Sequence, residues 1–129
     1  MTQINNEPKG TFGFVAYNAD DNEIVVAFRG SVNVANWVTN LDFIMKPYPG
    51  VTGAQVHRGF CDAFDAVSPL VLSSVSALLS AHPTASIVIT GHSLGAALAT
   101  FAAIDIKTKL NIASSKITFY TFGSPRTGN

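Results

Sequence analysis

The sequence predicts an α/β fold: a central, mostly parallel sheet with an N-terminal antiparallel hairpin and flanking helices. Three observations predict it. Short β-branched runs alternate with longer stretches whose apolar residues recur at three- and four-residue steps. Two strand-like runs near the N-terminus are joined by turn formers. Residues 87–101 pass from a strand pattern through Gly91-His92-Ser93-Leu94-Gly95 into a helical one, so strands are joined by a helix, the connection that parallel neighbours require.

Taken in order, residues 1–10 are polar, carry Pro8 and Gly10, and are expected to lie loosely on the surface. Thr11-Phe12-Gly13-Phe14-Val15-Ala16-Tyr17 and Glu23-Ile24-Val25-Val26-Ala27-Phe28 are the hairpin strands, with Asn18-Ala19-Asp20-Asp21-Asn22 between them. The second is almost continuously apolar, as a strand covered on both faces would be. It stops at Arg29-Gly30-Ser31, a strand end that can offer a hydroxyl and a backbone N–H to an anion. Residues 32–44 alternate asparagines with apolar residues. At 3.6 residues per turn Val34, Trp37, Val38, Leu41 and Ile44 form one stripe, with Asn33, Asn36 and Asn40 opposite. That is a short amphipathic helix, either a core helix or a mobile cover whose apolar face meets protein or lipid.

Pro47, Pro49, Gly50 and Gly53 mark a loop, and Gln55-Val56-His57-Arg58-Gly59-Phe60 leads into a long helical pattern through Phe64, Val67, Val71, Val75, Leu78 and Leu79. Pro69 conflicts with a single straight helix: either Ser68 caps a helix with Pro69 in its first turn, or one helix from about Asp62 bends there. His82-Pro83 closes it, and residues 84–90 form a strand. The following helix presents Leu94, Ala97, Leu98, Phe101 and Ala102 on one face, has small residues in its first turn, and carries Lys107 and Lys109 where they suit the helix dipole. Ile117-Thr118-Phe119-Tyr120-Thr121-Phe122 is the last strand. There is no repeat and no internal domain boundary.

The pentapeptide at residues 91–95 is the one pattern that carries chemistry. A G-x-S-x-G match arises by chance in roughly 4 chains of this length per hundred, so its meaning comes from the strand before it and the helix after it. A serine on so tight a turn takes a strained backbone conformation, and the chain on either side approaches closely. The positions two before and two after it then suit residues without a Cβ, and Gly91 and Gly95 occupy them. In that setting Ser93 reads as a nucleophile. His92 does not read as its base, because adjacent residues on such a turn point apart; it is expected to pack beside the turn.

Composition narrows the partners. Of 129 residues 47% are hydrophobic and 12% charged, enough apolar material for one domain core. Eight basic residues balance eight acidic ones and no basic patch is interleaved with aromatics, which argues against nucleic acid and suits an apolar substrate. Cys61, alone, makes no internal disulfide and reads as a small buried residue. No Cys/His cluster has metal spacing, and no cofactor is implied. The first residues have no signal-peptide pattern, and no apolar run approaches the ~20 residues of a membrane span. The abrupt start before a strand and the ending on Gly128-Asn129 give the expectation of a chain cut at both ends.

Four blocks in order carry a resemblance: Phe28-Arg29-Gly30-Ser31 with Asn36-Trp37, Val56-His57-Arg58-Gly59-Phe60, Gly91-His92-Ser93-Leu94-Gly95, and Tyr120-Thr121-Phe122-Gly123-Ser124-Pro125-Arg126-Thr127-Gly128-Asn129. Over nearly the whole chain they resemble the successive blocks of the class 3 lipases of filamentous-fungal type. The resemblance implies a partial α/β-hydrolase fold and a carboxylic ester hydrolase, typically a secreted triacylglycerol lipase acting at an oil–water interface. On it, Ser93 matches the nucleophile, Ser31 and the backbone N–H of Leu94 match the oxyanion hole, residues 32–44 match the lid, and Trp37 matches the lid tryptophan. Arg29 and His57 also match motif positions, with a plainer reading as hydrogen-bonding residues that hold the strand end and the loop.

The triad departs from the pattern. In this fold nucleophile, acid and histidine follow in that order, yet after Ser93 the only acid is Asp105 and there is no histidine. Asp105 lies about three helical turns on, roughly 18 Å away at 1.5 Å per residue, too far to be the triad acid. His57, His82 and His92 all precede Ser93, and in the family none of their motifs supplies the base. The resemblance puts the acid and the histidine beyond the last block, so little or no turnover is expected of these 129 residues. Two other functions fit the same blocks: a related feruloyl esterase, and a non-catalytic lipid-binding domain that kept the serine turn and lost the triad.

Overall fold

The computed structural model describes residues 1–39 and 41–129, with the side chains in those ranges other than Val34 and Val38. The expected places of Asn40 and of those two valine side chains lie outside the described residues. In chain order the elements are β1 (Thr2–Asn6), β2 (Thr11–Asn18), β3 (Glu23–Phe28), α1 (Val34–Thr39), β4 (Met45–Pro47), β5 (Gln55–His57), α2 (Arg58–Asp65), α3 (Ser68–Ala81), β6 (Ser86–His92), α4 (Leu94–Lys109) and β7 (Ile117–Phe122), with 3-10 turns at Glu7–Lys9 and Ser114–Lys116.

Five strands form one sheet in the order β1-β2-β3-β6-β7. The first two junctions are antiparallel and the last two parallel, so only β2 runs against the rest. This is the expected α/β sheet with its N-terminal hairpin. β4 and β5 pair separately as a short ribbon.

The N-terminal residues are not loose. β1 pairs along its whole length with β2, and the register sets Ile4 opposite Gly13, on the face where Ile4 is completely buried. The strand carries one inward apolar residue among polar ones, so the alternation that marks a half-buried strand is too thin to read. Its exit is fixed by Asn6 Oδ1, which accepts the Lys9 N–H at 3.2 Å, and by Gly10 at φ 64°.

The register places Ile4, Val15, Ile24, Val26, Ile87 and Ile89 on one sheet face, all fully buried. α2, α3 and α4 pack against that face and against one another. Burying each such side chain stabilises the fold by about 1.5–3 kcal/mol. The opposite face is more open: Phe14, Tyr120 and Phe122 are all exposed there.

Pro69 resolves as a break: α2 and α3 are separate helices bent by 52°, with Pro69 in the first turn of α3. Ser68 is not the cap. Val67 precedes the helix, and the Ser68 hydroxyl instead donates to the buried Asp105 carboxylate at 2.8 Å, where Lys109 also donates at 2.7 Å. Asp105 thus ties α3 to α4.

The helix expected across residues 32–44 is shorter than its pattern. It covers Val34–Thr39, started by Asn33, whose side chain accepts the Asn36 N–H at 3.1 Å. Residues 41–44 are not helical, because β4 must reach β5 and Ile44 offers its carbonyl to the Arg58 N–H at 2.8 Å. Ile44 therefore leaves the stripe and is exposed, while Trp37 and Leu41 remain half-buried against the core. Cys61 is buried, and burial, then the nearby Asp65 carboxylate, push its thiol above the ordinary range.

Ile4→Ala is expected to cost about 2–5 kcal/mol, the usual effect of emptying a core position. Urea unfolding checks it, and an unmoved midpoint would mean that β1 is not part of the cooperative fold.

Candidate active site

β6 ends at His92 and α4 begins at Leu94, so Ser93 is the whole connection between them. It adopts φ 56°, ψ −122°. For a residue with a Cβ that conformation costs on the order of 1–3 kcal/mol and persists only where the surroundings over-determine it. Here the Ser93 N–H donates to the Phe122 carbonyl at 3.0 Å, and the Ser93 carbonyl accepts from Ala96 at 3.0 Å and Ala97 at 3.3 Å.

The glycines on either side are a steric requirement. A Cβ on Gly91 would run into the carbonyl of Gly95, and one on Gly95 into the carbonyl of Phe28. The backbones of β3, β6 and α4 therefore touch directly. Gly30 extends the contact: a Cβ there would lie 2.8 Å from the His92 carbonyl oxygen and 3.4 Å from Ser93 Cβ, so Arg29-Gly30-Ser31 lies against the turn.

A cavity of about 410 Å³ opens beyond the C-terminal ends of β3 and β6, where open α/β sheets bind their ligands. Ser31, Leu94, Trp37, Phe60 and His57 are in its lining. The Leu94 N–H belongs to the first turn of a 16-residue helix, where backbone donors have no partner within the helix and the dipole favours negative charge. Ser93 is 5% exposed and sits beside the cavity rather than in its lining, one residue from Leu94. A hydroxyl on a strained turn, next to a helix N-terminus and a second hydroxyl at a strand end, is an arrangement suited to acyl transfer.

The other singled-out residues fall elsewhere. His92 is exposed, its ring beside Gly30 and Gly123, where added Cβ atoms would come within 3.5 and 3.4 Å of its two nitrogens. His82 stacks on Tyr17 at 3.5 Å. Among the described residues no histidine hydrogen-bonds to Ser93, and no grouping of His, Cys, Asp and Glu could hold a metal ion. Arg29 holds the strand end, but only its backbone does so by a hydrogen bond, to Phe12 at 2.9 Å; its guanidinium lies 4.1 Å over the Phe12 ring.

His57 holds more than a loop. It caps α2, its Nδ1 accepting the Phe60 N–H at 3.3 Å. Nδ1 as acceptor leaves the ring proton on Nε2, which is buried and finds no partner among the described residues. Such an unpaired buried donor costs about 1–3 kcal/mol. The cap is held in place from two sides. Lys46 on β4 donates to Asp62 on α2 at 2.6 Å, a hydrogen bond that keeps the Asp62 carboxyl below its usual range and lifts the Lys46 ammonium above its own.

From the C-terminal side, Thr127 accepts the His57 N–H at 2.8 Å, and Asn129 brackets β5, accepting from the Gln55 N–H at 2.9 Å and donating to the Gly53 carbonyl at 3.1 Å. Residue-by-residue reasoning missed Asn129. Its only signal is the Gly128-Asn129 pair, in which Gly128 approaches the Gln55 carbonyl too closely for any side chain.

The sheet order, the strained serine turn and the cavity above it define the central portion of an α/β-hydrolase fold. The model of the family described as lipase (class 3) matches residues 25–129, and the chain belongs to that family. It is 46% identical over 120 residues to secreted mono- and diacylglycerol lipase 1 of Fusarium solani, covering 91% of this chain and 35% of that protein. It is 35% identical over 120 residues to a lipase of Rhizomucor miehei, covering 92% and 33%. A solved structure of Rhizomucor miehei triacylglyceride lipase superposes with a TM-score of 0.96 at 32% identity, over 100% of this chain and 49% of that one. The chain therefore spans about a third of the length of the curated relatives it matches.

Gly95→Ala drives a methyl group into backbone that cannot yield, and is expected to destabilise the fold by more than about 3 kcal/mol, beyond ordinary overpacking. Thermal unfolding followed by circular dichroism checks this; a melting temperature near wild type would mean that the three backbones are not in contact.

Proposed function

We propose that the protein hydrolyses the carboxylic esters of glycerides through an acyl-enzyme on Ser93. The observation that carries the proposal is the strained Ser93 turn beside a cavity to which both Ser31 and the helix N-terminus at Leu94 contribute. Ser93 Oγ attacks the ester carbonyl carbon as its proton passes to a base. The oxyanion is held by Ser31 and by the Leu94 N–H until the C–O bond breaks and the alcohol leaves with a proton. Water then releases the acid by the same steps in reverse order. The base and the acid that orients it are assigned to sequence outside this chain, since none of its histidines bonds to Ser93 and it spans about a third of its curated relatives.

The substrate class rests on the relatives' names, which are those of glyceride lipases, and on the cavity's wall of Trp37, Phe60, Leu41 and Ala63. Residues 32–44 serve in this reading as the cover. Val32 is 86% and Phe43 70% exposed, apolar surface that a lipid phase would accept. An extracellular setting follows from the Fusarium relative being named as secreted.

Two variants test the reading in the natural full-length protein with tributyrin emulsion and, for contrast, methyl ferulate. Ser93→Ala should abolish hydrolysis, and Ser31→Ala should lower kcat by roughly 10²–10³, the usual effect of losing one oxyanion donor. The 129-residue chain alone should hydrolyse p-nitrophenyl butyrate at the background rate. Turnover by that chain that disappears in Ser93→Ala would refute the missing base, and preferential turnover of methyl ferulate would refute the glyceride assignment.

A further inference from the structure

We infer that His57 is the positioning residue that holds the cover closed, an inference that rests on reading residues 32–44 as that cover. The imidazole is the central rung of a ladder of four rings. It stacks on Phe60 with centroids 4.0 Å apart and planes 22° apart, and Phe60 stacks in turn on Trp37 at 5.8 Å and 26°. On the other flank Phe43 meets His57 edge-on, at 5.9 Å and 80°. Trp37 and Phe43 lie toward opposite ends of the segment, so one buried ring holds both, directly or through Phe60.

The choice of histidine supports this. A residue needed only to cap α2 would be Asn or Ser, which accept the same N–H and leave no buried donor behind. A residue needed only to fill the space would be Phe, which stacks as well. Only histidine accepts the Phe60 N–H on one ring atom while offering a flat face. The hydrogen bond to Nδ1 fixes the plane of the ring, and the unpaired Nε2 is the cost, the kind of exception that marks a functional constraint. Gly59 belongs to the same device: a Cβ there would lie 3.2 Å from His57 Cε1 and push the ring off its plane. The spacing His57-x-Gly59-Phe60 thus supplies ring, clearance and partner in one turn.

Trp37 is the chain's only tryptophan and reports on the ladder directly. H57N keeps a strong cap and removes the ring; H57F keeps a ring and removes the cap. With one stacking rung lost, the open-to-closed ratio should rise roughly three- to tenfold in H57N. Acrylamide quenching of Trp37 should increase, helix content by circular dichroism should stay at the wild-type level, and in the natural full-length protein the ratio of tributyrin hydrolysis in emulsion to that in true solution should fall by the same factor. H57F should keep both readouts near wild type, and it decides alone should H57N not fold.

Unchanged Trp37 quenching and rate ratio in H57N, or an H57F that disturbs both as strongly as H57N, would overturn the role of the ring while leaving the cover intact. A wild-type protein with no preference for emulsified ester would remove the cover reading and this inference with it.

Discussion

The contact of three backbones is the constraint on which the rest depends. Gly95 rests on the Phe28 carbonyl and Gly91 on that of Gly95, which seats the N-terminus of α4 on the ends of β3 and β6 with no side chain between them. No looser packing would bring a helix N-terminus and the end of the neighbouring strand into one cavity. The strained conformation of Ser93 follows from that seating, since a single residue must carry the chain from strand to helix. It is sustained by the Phe122 carbonyl, by the first hydrogen bonds of α4, and by the burial of every residue from Leu94 to Ala99. Small residues there let the helix sink into the core instead of lying on it.

Around that contact the chain keeps charge away from the cavity floor. Asp105, the one acid after Ser93, is buried but turned to Ser68 and Lys109, where it joins α3 to α4. What faces the cavity at Leu94 is the positive end of a helix dipole, a preorganised partial charge that needs no counter-ion. The opposite wall is assembled from distant pieces: β5 is bracketed by Asn129, α2 is tied to β4 by Lys46, and the His57 cap joins β5 to α2. A wall of that kind is only as rigid as the loops that bracket it, which suits an element meant to move.

The serine turn was legible because it is dictated locally. Two glycines at fixed spacing, a β-branched strand and a helix of small residues permit few other structures. The parallel order of β3, β6 and β7 was legible for the same reason, through the helix that must connect them. What escaped was set by distant partners. β1 exists because β2 offers it an edge and Ile4 one core position, information that ten polar residues do not contain. The end of α1 is set by the pairing of β4 with β5 and not by its own stripe. Ser68 reads as a cap until Asp105, 37 residues away, claims its hydroxyl. Asn129 and the second duty of His57 were illegible in the same sense, since each gains its meaning only from the strand or ring it meets.

Ser93 as the attacking group is tested most directly by the site of covalent capture. The natural full-length protein, treated with diethyl p-nitrophenyl phosphate, should release one equivalent of p-nitrophenol and carry the diethylphosphoryl group on Ser93 in its peptide mass map, with no adduct in Ser93→Ala. An adduct on any other residue accompanied by full loss of activity, or an untouched Ser93 in an inactivated enzyme, would contradict the assignment and with it the purpose of the backbone contact that holds the turn.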